Sequence, residues 1–401
     1  MSPPPPAAGP IAAPAEVSVP RAHALRMPLD PLLTLAVVGL GICSIVTLRA
    51  ATQHLIAGQP RYYVDRQAVY LIVGFALMLA LSRIDYARFR HMAYGIYAAL
   101  VLSILAVLGL GHAANGAQRA INFPLFSFQG SEIGKVLLIL SLSALVAARS
   151  RQLQEVGTTV RVIAAAALPA LFVIVQPDLG SGMVYMVIAF TLLFVAGTSW
   201  RQLGAIVALV LAAATFALVL APAAGVHVLK PFQEERLTAF LHPSSNPEKQ
   251  GYQQEESKVA IGAGQKTGRG ESSTQTNLNF VPEDHTDFIF AAVGEQYGFA
   301  GAALVLSLYA LLIWRTLRVL TSARDLFGTL VAGGVVAMLM FQVFVNVGMA
   351  VGIMPITGVT LPLMSYGGSS VITTLLAVGL LQSIYVRAGA PKAPRGSVLR
   401  Y

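Results

Sequence analysis

The chain has 401 residues, 56% hydrophobic and only 11% charged, against about 25% charged in an ordinary soluble domain; this excludes a molecule bathed by water on every side. The formal net charge of +9 would favour nucleic acid if it formed a basic stretch interleaved with aromatics, but none is present and nucleic acid is excluded as a partner. The single cysteine, Cys43, rules out an intramolecular disulfide and a cysteine-built zinc site, and reads as a small apolar filler.

Residues 1–29, with Pro3, Pro4, Pro5, Pro6, Pro10, Pro14 and Pro20, read as a disordered cytoplasmic tail. Ten apolar runs follow, at 31–49, 67–83, 92–111, 131–148, 160–177, 180–198, 202–224, 285–314, 327–351 and 367–388. Most have the length that crosses a bilayer as helix, the open-ended structure that closes its own backbone hydrogen bonds in lipid. The first run is too long and too far along for an ordinary cleaved signal peptide. The predicted fold is therefore an all-α polytopic membrane protein of about ten transmembrane helices.

Basic residues orient it. With both termini cytoplasmic, the inner segments hold Arg83, Arg88 and Arg90, then Arg149, Arg151 and Arg161, Arg201, then Arg315, Arg318 and Arg324, and Arg387. The short outer loops after the third, fifth and ninth runs hold only Arg119, as the positive-inside bias requires. The first outer loop is an exception, with Arg49, Arg61 and Arg66. The segment 225–284 becomes a large extracytoplasmic loop within a membrane domain spanning 30–388, and 389–401 a second cytoplasmic tail. The length of that loop suggests function; Pro231, Tyr252 and Phe280 are candidates to pack it onto the helices, and 253–263 to form a short interfacial helix. No internal repeat of the kind common in transporters is visible.

Three constellations carry candidate chemistry. Asn115, Gly116, Ala117, Gln118 and Arg119 are followed by Gln129, Ser131, Glu132 and Lys135. Glu132 and Lys135 are three apart and share a helical face, as a structural ion pair or as a cation presented to an anionic substrate. Glu283, Asp284, His285, Thr286 and Asp287 lead into the eighth run. Thr286 and Asp287 suit a helix cap; equally, a carboxylate at the water–lipid boundary has its pKa raised by desolvation and lowered by a nearby cation, the tuning a base for a sugar hydroxyl needs. The Gly- and Pro-rich stretch 352–370, with Ser365, Tyr366, Ser369 and Ser370, reads as a re-entrant turn able to hold a phosphate or as a tight periplasmic hairpin. Asp178 reads as a turn residue between the fifth and sixth runs.

Together NGAQRAI (115–121), QPDLGSG (176–182), SKVAIGAG (257–264), TQTNLNFVPEDHTDFIFAAVGEQYG (274–298) and NVGMAVGIMPITGVTLPLMSYGGSS (346–370) resemble the SEDS family of cell-wall proteins, RodA and FtsW. Thr274, Gln275, Leu278, Asn279 and Phe280 look more like the RodA branch. The resemblance implies a peptidoglycan glycosyltransferase of the bacterial inner membrane, its active cleft facing the periplasm, that polymerises lipid II for cell-wall elongation and rod shape. The alternatives are a lipid II flippase and the division, FtsW-type polymerase. It implies catalytic Asp287, Lys135 and Glu132, with Arg119, Glu283, His285, Gln129, Ser365 and Ser369 as candidate substrate contacts. Lys135 would meet the pyrophosphate or pair with Asp287 at rest. The implied partners are lipid II, the undecaprenyl pyrophosphate-linked glycan, membrane lipids and a class B penicillin-binding protein. No cofactor is certain; a divalent cation, Mg2+ or Mn2+, is an open addition. Ala120, where the family commonly has Trp, and Gly130, where it commonly has Pro, depart from the pattern.

Overall fold

The computed structural model describes residues 29–53, 55–56, 58–110, 120–122, 127–216, 220, 222, 250–270, 273–277 and 285–389. Its helices are α1 (Pro31–Thr52), α2 (Tyr62–Arg83), α3 (Ala87–His91), α4 (Ala93–Leu110), α5 (Gly130–Ala148), α6 (Val156–Val175), α7 (Leu179–Val195), α8 (Trp200–Thr215), α9 (Gln250–Ala263), α10 (Thr274–Asn277), α11 (Ile289–Ser322), α12 (Leu326–Ala350) and α13 (Gly368–Ala388). A two-residue antiparallel ribbon, β1 (Ile121–Asn122) with β2 (Ser127–Phe128), pairs Ile121 with Phe128 and precedes α5.

Eight of these helices are long and apolar enough to cross a membrane, and α7 and α8 are shorter apolar helices. Together they account for the ten predicted runs. Several boundaries differ from expectation: α2 starts at Tyr62 rather than 67, α6 at Val156 rather than 160, and α11 at Ile289 rather than 285, continuing to Ser322 rather than 314. Residues 285–288 form a turn ahead of the helix. The N-cap position of α11 falls on Phe288, which makes no side-chain cap, so the capping expectation for Thr286 and Asp287 is not met there.

Helices α5, α12 and α13 bury most of their surface, whereas α2, α4 and α11 present most of theirs outward. Ile72, Leu102 and Phe299 are among the large apolar side chains left exposed. Such a surface is tolerable when lipid is the solvent, because helix association there rests on packing rather than on hiding apolar groups.

The chain alternates between two ends of the bundle. One, the basic end, gathers the predicted inner segments, and three of its acids lock helices together. Asp30 caps α1 through the Leu32 and Leu33 N–H groups and receives the Arg315 guanidinium of α11. Its own N–H donates to Gln382 of α13 at 2.7 Å. Asp325 caps α12 and accepts the Tyr86 hydroxyl at 2.6 Å. Asp85 pairs with Arg387 at 3.3 Å.

At the other end α11 is broken. Gly298 sits at φ 60°, ψ −157°, inside an otherwise helical run. The backbone groups this frees are taken by a turn following α9: Phe299 N–H donates to Gln265 O at 2.9 Å, Ala300 N–H to Lys266 O at 3.1 Å, and Arg269 N–H to Glu295 O at 2.9 Å. Broken helix at membrane depth requires such substitutes. Helix α9 therefore does more than lie at the interface. Gly251, Gln254, Ser257 and Ala260 form a buried face on it, and Ser257 donates to Ala350 O at 2.8 Å. Tyr252, an expected packing residue, is exposed; Pro231 and Phe280 lie outside the described residues, as do the stretches 1–28 and 390–401.

Candidate active site

The segment between α12 and α13, Val351 to Gly367, has no helix or strand, yet Ile356, Thr357, Val359 and 361–365 are buried. It is a re-entrant floor rather than a tight surface hairpin. Gly352, at φ 85°, ends α12: its N–H bonds to Met349 O and that of Ile353 to Gly348 O, the left-handed cap that glycine favours. The floor's carbonyls are then satisfied by side chains from the surrounding helices. Tyr309 donates to Pro362 O at 2.6 Å, Ser44 to Met364 O at 2.8 Å, Gln67 to Ser365 O at 3.2 Å and Gln254 to Met354 O at 2.9 Å. Buried backbone demands this accounting.

Two groups of candidate residues meet on this floor. Asn346 of α12 donates through its amide to both Asp287 O and Val359 O, each at 2.8 Å. One side chain thus fixes the Asp287 backbone to the floor, with the residue partly exposed. Tyr366 N–H donates to His285 O at 2.9 Å. The His285 ring lies 4.8 Å from Tyr63 and 6.1 Å from Tyr366, and Tyr63 lies 4.9 Å from Tyr366. Arg66, one turn along α2, stacks its guanidinium 4.4 Å over Tyr62 and hydrogen-bonds with Tyr366. One of the three arginines that broke the positive-inside pattern, Arg66, therefore belongs to the cluster around His285.

The second group is centred on Asp178. It caps α7 through Ser181 N–H at 3.0 Å and accepts the Ser131 hydroxyl at 3.0 Å and the Gln129 amide at 3.2 Å. Gln129 N–H donates to the Ser369 hydroxyl at 3.0 Å, and that hydroxyl donates to Ser127 O at 2.6 Å. Thr360 and Ser370 place their hydroxyls 2.9 Å apart. A Cβ on Gly180 would lie 2.9 Å from Thr357 O, so the start of α7 rests directly on the floor. One turn into α5, Lys135 Nζ donates to Glu132 Oε1 at 2.6 Å, with the two side chains 1% and 5% exposed. The Tyr185 hydroxyl closes this side by donating to Ser131 O at 3.0 Å.

The structure thus brings Gln129 and Ser369 together at Asp178, and His285 and Asp287 onto the floor beside Tyr366. Ser365 is buried, its hydroxyl accepting Leu361 N–H at 2.8 Å, so its hydroxyl shapes the floor. Arg119 and Glu283 lie outside the described residues. Gly130 has a local reason: a Cβ there would lie 2.7 Å from Ser103 O of α4. Among the described residues no three His, Cys, Asp or Glu side chains converge as a metal cage; a Mg2+ ion needs only one or two carboxylates when phosphates complete its shell.

The model of the FtsW/RodA/SpoVE family, described as cell cycle proteins, matches residues 28–389. The chain belongs to this family. Among curated FtsW/RodA/SpoVE-like relatives it is 34% identical over 363 residues to the peptidoglycan glycosyltransferase MrdB of Escherichia coli K12, covering 90% of this chain and 94% of that protein. It is 34% identical to the peptidoglycan glycosyltransferase RodA of Treponema pallidum (80% and 89% covered), and 36% to a probable peptidoglycan glycosyltransferase FtsW of Geobacter metallireducens (81% and 85%). A solved chain from a peptidoglycan synthase complex that coordinates polymerisation and crosslinking superposes with a TM-score of 0.74 at 31% identity, covering 89% of this chain and 97% of that one. Thermus thermophilus RodA, a rod shape determining protein, superposes at 0.64 with 29% identity, covering 89% and 96%. The fold over the superposed 89% of the chain is thus that of a FtsW/RodA/SpoVE-family membrane protein.

Sequence reasoning missed Tyr63 and Asn346 as parts of the site, named Tyr366 only within the 352–370 stretch, and took Asp178 mainly for a turn residue. Arg66 carried a signal, as a cation on the wrong side. Asn346 carried one too, as an amide deep in an apolar run.

Proposed function

We propose that this chain is a peptidoglycan glycosyltransferase that polymerises lipid II into glycan strands during cell-wall elongation. The observation that carries the reading is Asp287: a partly exposed residue in a non-helical turn, its backbone tied by Asn346 to the buried floor, in a chain similar over 80–90% of its length to named glycosyltransferases. Asp287 acts as general base on the 4-hydroxyl of the acceptor sugar. The freed oxygen attacks the anomeric carbon of the donor, and undecaprenyl pyrophosphate departs with the electron pair. Arg66, in the first turns of α2, and Arg119, ahead of α5 in the sequence, are the candidates to offset the pyrophosphate charge. Lys135, paired with Glu132 in the wall, is a further candidate for the pyrophosphate once released from that pair; His285 and Gln129 are candidate sugar contacts, as Glu283 is from the sequence. Asp287 is the residue that would hold a divalent cation, Mg2+ or Mn2+, which would supply charge neutralisation for the leaving pyrophosphate.

The floor end faces the periplasm and both termini the cytoplasm of a bacterial inner-membrane protein, since the opposite end carries the arginines. A class B penicillin-binding protein is the partner, supported by similarity to a chain of a synthase complex. Identity to MrdB and to FtsW is alike, so the elongation role rests on the RodA-like stretch 274–280.

Purified Asp287→Ala should insert normally and yield no polymer from lipid II, with or without the partner; normal-rate polymerisation by that variant overturns the assignment. A flippase would give no polymer in vesicles whose outer face already displays lipid II, where an enzyme would.

A further inference from the structure

Far from the floor, at the basic end, a cleft of about 720 Å³ opens between α3–α4 and α5–α6. Its wall is built from small residues, Ala93, Ala144, Ala148 and Ala165, with Leu142 and Leu145 behind them. Tyr97 turns its hydroxyl away, donating to Ala165 O at 2.9 Å, so the ring presents a carbon face. The mouth carries Arg90, His91 and Arg149, and no carboxylate lines the cleft. Among the described residues none of these three side chains has an ion-pair partner. Of the acids at this end, Asp30 is committed to Arg315, Asp85 to Arg387 and Asp325 to Tyr86, and Glu155, exposed at the start of α6, does not line the cleft. Tyr94, beside the mouth, is 86% exposed, as an aromatic at the headgroup level of a bilayer is.

An unpaired cationic rim above an apolar slot between membrane helices matches one kind of ligand, an anionic lipid with its phosphate at the mouth and an acyl chain in the slot. A soluble anion would leave the slot empty, and a neutral lipid would leave the cations unmatched. We propose that this cleft binds an anionic glycerophospholipid, such as phosphatidylglycerol, from the leaflet that meets the basic end. The phosphodiester is held by Arg90 and Arg149, with His91 as a further donor, and the acyl chain lies along Ala144, Ala148 and Ala165.

The test is native mass spectrometry of the full chain, released from nanodiscs of mixed phosphatidylglycerol and phosphatidylcholine. Wild type should retain phosphatidylglycerol selectively. Arg90→Gln with Arg149→Gln should weaken retention about thirtyfold, as two surface cations at about fivefold each predict. Arg201→Gln with Arg318→Gln, at the same end but outside the cleft, should retain it. Ala148→Trp, which fills the slot and leaves every charge in place, should also lose the lipid while keeping the wild-type melting temperature. Equal losses in the two arginine pairs, retention by Ala148→Trp, or stoichiometric displacement by undecaprenyl pyrophosphate would overturn the proposal. The readout is lipid occupancy, so it is independent of whether the chain polymerises lipid II.

Discussion

Replacing Lys135 by Met tests whether the Glu132–Lys135 pair is a structural necessity of the wall. The two groups meet at 2.6 Å with side chains 1% and 5% exposed, so neither can turn to water when the other is lost. Removing one partner of a buried pair typically costs about 3–5 kcal/mol, because the survivor is left charged and uncompensated. Glu132→Gln should cost a similar amount. Replacing both at once removes the stranded charge as well as the attraction, so the double variant should be more stable than either single one. The assay is reversible unfolding of the purified protein in mixed micelles, read as a double-mutant cycle. Single variants within about 1 kcal/mol of wild type, the behaviour of a solvent-exposed pair, would refute the reasoning. The double variant also separates roles. If it folds and polymerises lipid II at the wild-type rate, Lys135 makes no contribution to the pyrophosphate.

Asp178→Ala should cost more than about 3 kcal/mol in the same unfolding assay, since it strands Ser181 N–H, the Ser131 hydroxyl and the Gln129 amide at roughly 1–3 kcal/mol each when buried; a loss below about 1 kcal/mol would mean water replaces the carboxylate. Gly298→Ala should destabilise by well over about 1 kcal/mol, because φ is 60° and a Cβ would lie 2.4 Å from Gly268 N; limited proteolysis after α9 should rise, and an unchanged pattern would count against the patched break. Burial first, and the bond to Asp325 second, push the Tyr86 phenol above its ordinary value. The folded state therefore keeps that proton where the unfolded chain gives it up, so its stabilisation is full below about pH 10 and fades as pH rises above it. Tyr86→Phe should melt lower near neutrality and show a shallower decline between about pH 9 and 11.

The bundle was legible because its helices are long unbroken apolar runs, whether they present most of their surface outward, as α2, α4 and α11 do, or are buried by their neighbours, as α5, α12 and α13 are. What those runs conceal is the break at Gly298. The sequence around it, Glu295 to Gly301, reads as continuous helix, and only the α9 turn reveals why the backbone can stop there. Glu295 was hidden for the same reason: its carboxylate is buried and receives Gln275 N–H at 2.9 Å and Thr276 N–H at 2.8 Å, partners from a segment with no apolar periodicity to announce that it packs. The buried face of α9 is Gly, Gln, Ser and Ala, so its hydropathy signals a surface helix. Asp287 was legible as an acid directly ahead of an apolar run. Its attachment to the floor was not, since Asn346 lies 59 residues away and pairing across that distance leaves no local trace.

The floor between α12 and α13 also sets a schedule for biogenesis. Ser44 and Gln67 belong to the first two helices made, yet the carbonyls they serve, Met364 and Ser365, are 320 and 298 residues downstream. During synthesis these polar groups must wait in the bilayer for partners that do not yet exist. Gln67 Nε2 donates to the Ser44 hydroxyl at 3.1 Å, so the nascent α1–α2 hairpin can keep its own polar atoms satisfied until the last helix arrives. Ser44→Ala would remove that holding bond, and the penalty would fall on the yield of newly inserted chains before it touched the finished molecule.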